Sequence, residues 1–169
     1  VKGANLFPLL YANIFICAKK KSGKSTVIYK IIKSCIDDDT TVIVFCSTYM
    51  KDKNWIFIKK YLDERGIANM FYFSIYGDKH ENILSDFVED LQQQADEDVL
   101  EDEEEGEHVD KVTNFEEDDE KVIVKRKSKY IAPKYLFIFD DIADELKDNS
   151  ISALIKKHGH FKSKCIFSS

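Results

Sequence analysis

Between Ile14 and Thr26 the chain passes from a four-residue apolar run, Ile14-Phe-Ile-Cys17, through Ala18-Lys19-Lys20-Lys21-Ser22 into Gly23-Lys24-Ser25-Thr26. Val27, Ile28, Ile31, Ile32 and Cys35 then recur at helical spacing. This order predicts a strand, a small basic loop and a helix. A loop that delivers free backbone amides to a helix N-terminus is an anion site, because those first N–H groups have no partner inside the helix. Lys24 can reach the outer phosphates of a nucleotide, and the Ser25 hydroxyl can ligate Mg²⁺. The nearest pattern is G-x-x-x-x-G-K-[ST], with Ala18 in place of the first glycine. That glycine eases a tight turn, whereas Gly23 lets the backbone approach phosphate. Alanine is the smallest replacement, so the loop is expected to survive. The plain alternative is an ordinary strand-to-helix turn carrying a solvated lysine cluster.

The 169 residues, 44% of them hydrophobic, suffice for one domain around one core. No run of 18 apolar residues exists and the start of the chain does not read as a secretory leader, so the expectation is an intracellular protein with no membrane span. Cys17, Cys35, Cys46 and Cys165 stand singly, without a C-x-x-C pair. They are assigned neither metal nor disulfide, and three are expected in strands as small apolar groups. His158 and His160 lack a nearby third ligand and read as a polar turn. The net charge of −6 conceals a split: Gln94 to Glu120 holds fifteen acids and one lysine, leaving +8 on the remainder. A basic body can meet a polyanion that the acidic segment would repel or mask.

Taken in order, Phe7-Pro8-Leu9-Leu10 is an apolar lead-in expected beside the first strand. Thr41-Val-Ile-Val-Phe-Cys46 is a continuous run of the kind buried on both sheet faces, and Asn54 to Arg65 is a helix ended by Gly66. Met70 to Ile75 reads as a strand and Glu81 to Gln93 as a helix. Residues 94–120 are poor in large apolar side chains and are expected to form an acidic, flexible insertion between core segments 7–93 and 121–169. Lys125-Arg-Lys-Ser-Lys129 reverses the charge, either balancing the acids or contacting nucleic acid.

Tyr135-Leu-Phe-Ile-Phe139 runs directly into Asp140-Asp141. Ending a buried strand in acid is costly unless a cation meets it. Beside the basic loop, Asp140 would hold Mg²⁺ with Ser25, and Asp141 would orient or deprotonate an attacking water. An exposed acidic turn is the plain alternative for this pair alone. Together with Lys24 and Ser25 it reads as a P-loop NTPase: an α/β, three-layer fold with a mainly parallel central sheet. Because Lys24 and Asp140 must share one Mg-nucleotide, the strands ending at Cys17 and Phe139 are expected to be neighbours. A short helix over Asn149 to Ile155, a basic turn Lys156-Lys-His-Gly-His160 and a strand Lys164 to Ser168 complete the chain.

Three segments in this order, Lys21-Ser-Gly-Lys-Ser-Thr26, Leu136-Phe-Ile-Phe-Asp-Asp141 and Lys157-His158 through Ser168, resemble the viral genome-packaging ATPases of the FtsK-HerA superfamily, found in poxviruses, other large DNA viruses, virophages and polinton-like elements. The resemblance covers roughly Phe7 to Gln93 and Tyr135 to Ser169. It implies ATP and Mg²⁺ as cofactors, with residues 18–26 cradling the nucleotide and Lys24, Asp140 and Asp141 carrying the chemistry. It further implies a homo-oligomeric ring that drives double-stranded DNA into a capsid through a portal or vertex, in the host cytoplasm or a viral factory. Members usually follow the last strand with a glutamine that senses the γ-phosphate; here Ser169 is the last residue, so the fold is expected to be incomplete at its C-terminal end. Two other readings remain. A nucleoside or nucleotide kinase shares the loop and sheet but clamps phosphates with several arginines, and this chain has only Arg65 and Arg126. A nucleotide-binding scaffold that does not hydrolyse ATP is the other.

Overall fold

The computed structural model describes residues 1–107 and 130–169. The basic run 125–129 and the acidic residues 108–120 lie outside the described residues. Five strands, β1 (Asn13–Ile16), β2 (Thr41–Cys46), β3 (Asn69–Tyr72), β4 (Tyr135–Asp140) and β5 (Ser163–Ser168), form one sheet in the order β1-β5-β4-β2-β3. All four pairings are parallel. The class is α/β, as the alternation of apolar runs with helical periodicity predicts. Among the described residues no helix is long and apolar enough to cross a membrane.

The strand side chains alternate between two cores, one on each face. Helices α1 (Lys24–Cys35) and α2 (Lys53–Glu64) bury Ile28, Ile31, Ile32, Trp55, Ile58 and Leu62 against Val42, Val44, Leu136, Ile138 and Ile166. Phe7 of the lead-in packs against this same core. On the opposite face, α3 (Ile83–Glu107) and α4 (Asn149–Lys157) bury Leu84, Leu91, Ile151 and Leu154 against Phe45, Phe137, Phe139, Cys165 and Phe167. The result is three layers with the sheet in the middle.

The parallel register aligns one ring from every strand into a row on the α3/α4 face: Phe15, Phe167, Phe139, Phe45 and Tyr72. Neighbouring ring centroids lie 4.9, 5.0, 5.3 and 5.3 Å apart, near-parallel throughout. Offset stacks of this kind add about 0.5–1.5 kcal/mol per pair beyond area burial. The next register row, Ile16, Ser168, Asp140 and Cys46, lies at the C-terminal ends of these strands. The aromatic row therefore fixes the level at which the polar strand ends emerge.

Two expectations need correction. The strands carrying the basic loop and Asp140 are not neighbours, because β5 lies between β1 and β4. A shared site requires only that both strands end on the same side of the sheet, which an all-parallel arrangement guarantees. The acidic segment does not become a flexible insertion at Gln94: α3 continues to Glu107. Burial alone argued against order there. Gln, Ala, Glu and Leu are good helix formers, however, and bonds from Gln92 to Asp96 and from Gln93 to Glu97 lace the exposed surface. Cys17 also lies past β1 and is exposed, whereas Cys35, Cys46 and Cys165 are buried free thiols.

Removing the middle ring should cost most. Phe139→Ala should lower unfolding free energy by about 3–5 kcal/mol, whereas Phe15→Ala at the exposed edge should cost about 1 kcal/mol or less. Urea titration checks the ranking, and equal losses at the two positions would remove the aromatic row from the account.

Candidate functional site

The loop after β1 makes its turn without a first glycine. Ala18 is not among the residues with positive φ; the left-handed positions are Lys21 (φ 64) and Gly23 (φ 89). An alanine at position 18 is therefore unstrained, while Gly23 occupies backbone space that an L side chain enters only at a cost of about 1–2 kcal/mol. Nothing lies within 4 Å of where a Cβ at Gly23 would stand, so the requirement is conformational rather than steric.

Gly23 is the N-cap of α1, with no side-chain cap and no acidic residue in the first turn. The other two helices with a described cap differ: Asp52 accepts from the Asn54 amide at α2, and Asp148 accepts from the Ser150 amide at α4. The Val27 N–H makes the first helical bond, to Gly23 O at 3.1 Å, so the amides before it point out of the helix. With Lys20, Lys21 and Lys24 around it, this end of α1 can hold an anion.

Asp140 ends β4 on the α1/α2 face and is 8% exposed. Its Oδ2 accepts from the buried Trp55 Nε1 at 2.8 Å and from the Cys46 thiol at 3.8 Å. Burial, with a smaller contribution from the Asp140 charge, pushes Cys46 up to about 11, so the thiol stays protonated and can donate. Among the described residues Oδ1 has no donor and is left for water or a cation. Asp141 is exposed and left-handed (φ 57), a conformation aspartate tolerates. Its N–H donates to Ser168 O at 3.3 Å and its O accepts from Ser47 Oγ at 3.2 Å, so the backbone is pinned while the carboxylate is not. Behind it, the turn Ala143–Lys147 is tied to the loop after β3 through Ser74 and Glu145, and Asp148 accepts from Tyr76 and Asn82.

These parts meet. Lys20, Lys21, Gly23, Lys24 and Ser25 line one cleft of about 640 Å³ together with Asp140 and Asp141. Its position follows from the topology: the chain leaves β4 toward β5 and leaves β2 toward β3, so the loops diverge at the carboxyl ends of two adjacent strands. Ala18, Lys19, Ser22 and Thr26 belong to the same loop and first turn but do not line the cleft. Thr48, Lys51, Asp52 and Asn54 line it and were missed by sequence reasoning. No motif marks them; the only available signal was that β2, like its neighbours, must end on the same side. Ser168 does not line the cleft but stands beside it in the sheet: it is the register partner of both Ile16 and Asp140, is 2% exposed, and its hydroxyl has no partner among the described residues.

Among the described residues no group of three or more His, Cys, Asp and Glu side chains gathers as a metal cage. A Mg²⁺ held mainly by phosphate oxygens and water needs only one or two protein oxygens, which Ser25 Oγ and Asp140 Oδ1 can supply. His158 Nδ1 lies 2.8 Å from Ile155 O and 3.2 Å from Asn13 Nδ2, a local helix-end contact.

Trp55→Phe should destabilise the fold by about 1–3 kcal/mol, since it strips the nitrogen donor from a buried carboxylate. Adding Asp140→Asn should recover part of that loss, and a double-mutant cycle by denaturant unfolding reads the coupling; strict additivity would mean the bond carries no energy. Compared with known proteins, the chain matches no family model, no curated protein and no solved structure.

Proposed function

We propose that this chain binds a Mg-nucleoside triphosphate in the cleft and hydrolyses it, as the P-loop ATPase core of a motor that moves double-stranded DNA into a capsid. One observation carries the hydrolytic part: the uncapped N-terminus of α1, with Lys24 and Ser25, shares a single cleft with Asp140 and Asp141. In this reading the amides that open α1 and the Lys24 ammonium hold the β- and γ-phosphates. Ser25 Oγ and Asp140 Oδ1 would hold the metal, and the Trp55 bond to Oδ2 fixes the carboxylate that would meet it. Mg²⁺, when bound, neutralises charge on the phosphate oxygens. Asp141, on a backbone fixed at both N–H and O, orients the attacking water and takes its proton. Lys51 and Thr48 add a cation and a hydroxyl from the β2 side.

The step from a triphosphatase to a DNA-packaging motor, with its ring and capsid partners, rests on the ordered resemblance of segments 21–26, 136–141 and 157–168. Transfer to a nucleoside acceptor is the less favoured reading. Arg65 is engaged with Tyr61 and Asp38, and among the described residues no arginine lines the cleft to clamp a second set of phosphates.

Lys24→Ala should weaken ATP binding tenfold or more and abolish turnover. Asp141→Asn should leave binding within about threefold and reduce turnover by about 10²–10⁴. Calorimetric binding and phosphate release, with and without duplex DNA, test both. Equal loss of binding in the two variants sinks the role assignment, phosphate transfer to a nucleoside rather than water moves the chain to the kinases, and no DNA stimulation removes the motor.

A further inference from the structure

The acidic half of α3 lies on a lysine-bearing surface at the end of the sheet opposite the cleft. Past Leu91 this helix buries no large apolar residue among the described side chains; Val99 and Leu100 are exposed. It is held instead by polar contacts: Gln92 Oε1 accepts from Lys157 Nζ at 2.7 Å, Gln94 Oε1 accepts from Tyr135 OH at 3.0 Å, and Asp98 Oδ2 meets Lys162 Nζ at 2.8 Å. Gln94, Asp98 and Asp102 recur at four-residue spacing and so form one stripe. Lys134, His160 and Lys162 line a small cleft against Leu91, Gln94 and Asp98. Lys134 and Lys162 stand just before β4 and β5, whereas Asp140 ends β4 six residues on, roughly 20 Å away.

The contact is electrostatic and reversible in character. The Lys162 hydrogen bond and charge, with Lys134 beyond it, hold the Asp98 carboxyl below its usual range, and Asp98 in turn raises Lys162. Both side chains of the pair are 48% exposed. A surface pair of that exposure is worth a factor of up to about five. The occupant is therefore an acidic helix face, with Asp98 bonded to Lys162 and the Asp102 charge also felt there, held by contacts that salt screens. A DNA duplex is a rod with one charge per about 1.7 Å, denser than this helix, and it gains counterion release at each lysine it meets. Of the apolar residues of the small cleft, Leu91 and Phe161 are buried and Ala95 is half-buried, which leaves little apolar seat for an acidic protein.

We infer that the surface of Lys134, Lys157 and Lys162 is a duplex-DNA contact and that the acidic half of α3 is its built-in competitor, occupying the surface until DNA lifts the helix away. The choice of duplex DNA as the polyanion rests on the motor reading; the competition itself rests on the contacts. Binding of a labelled duplex of about 20 base pairs to the full chain, without nucleotide, tests it. Asp98→Asn with Asp102→Asn should tighten binding about three- to tenfold near 50 mM salt, with the gain fading toward 200 mM. Lys134→Ala with Lys162→Ala should cancel the gain, and duplex should speed amide exchange across residues 94–102. Affinity within twofold of the parent in the acid variant overturns the inference. So does a gain that survives loss of both lysines, or exchange that responds to polyglutamate and not to duplex. A chain showing the expected pattern while hydrolysing no triphosphate would sink the motor reading and leave the competition standing; active hydrolysis with no change in any DNA measurement would sink the competition alone.

Discussion

Four parallel pairings carry all five strands through the molecule in one direction, and helices cover both faces. A sheet packed this way has little wet face, so polar side chains gather at the strand ends, with Lys164 of β5 a buried exception. The row Ile16, Ser168, Asp140 and Cys46 is that boundary. One row earlier every position is aromatic, and one row later the chain turns away into loops. Asp140 is nearly buried, with Oδ2 bonded to Trp55 inside the α2 layer, and still lines the cleft. The same bond makes the position of α2 and the orientation of the carboxylate a single variable.

Helix termini divide along similar lines. The starts of α2 and α4 are closed by their own aspartates, Asp52 and Asp148. The Asp148 carboxyl, held by Ser150 and Tyr76, is depressed to about 2 and remains a charged cap across the ordinary pH range. Among the described residues α1 alone starts on a glycine with no side-chain cap, and it does so beside lysines. The start of α3 is closed by a side chain too, with Asn82 accepting from the Ser85 amide, so the amides that open α1 are the ones left without a side-chain cap among the described α-helices.

Much of this was legible in the sequence where residue type and position carry the same message. Thr41 to Cys46 and Tyr135 to Phe139 read as buried strands because their runs are unbroken and β-branched or aromatic, and the Asp140-Asp141 ending drew notice because acid is out of place there. Gly23-Lys24-Ser25 read as a helix opening for the same reason. Strand order was not legible, since periodicity says which residues face a core but not which strand lies beside which. Thr48 and Lys51 join the site through that order and carry no local signature of it. The acidic part of α3 escaped because burial and intrinsic propensity disagree there, and the deciding contact, Lys162 with Asp98, spans 64 residues of chain.

The strand order also sets a timetable for biosynthesis. β1 has one neighbour, β5, and their ends meet across 152 residues of chain; β2 waits 94 residues for β4. The central strand β4 and its neighbour β5 are the last of these five to be made. A nascent chain that has emerged as far as α3 therefore holds β2 and β3 with one long apolar edge open, and β1 with no partner at all. Pairings of such separation form slowly, and unpaired edges invite association with other chains. The layer that presents the cleft closes from the outside inward, and its acidic helix, translated before the central strands, supplies negative charge to the incomplete fold during that interval.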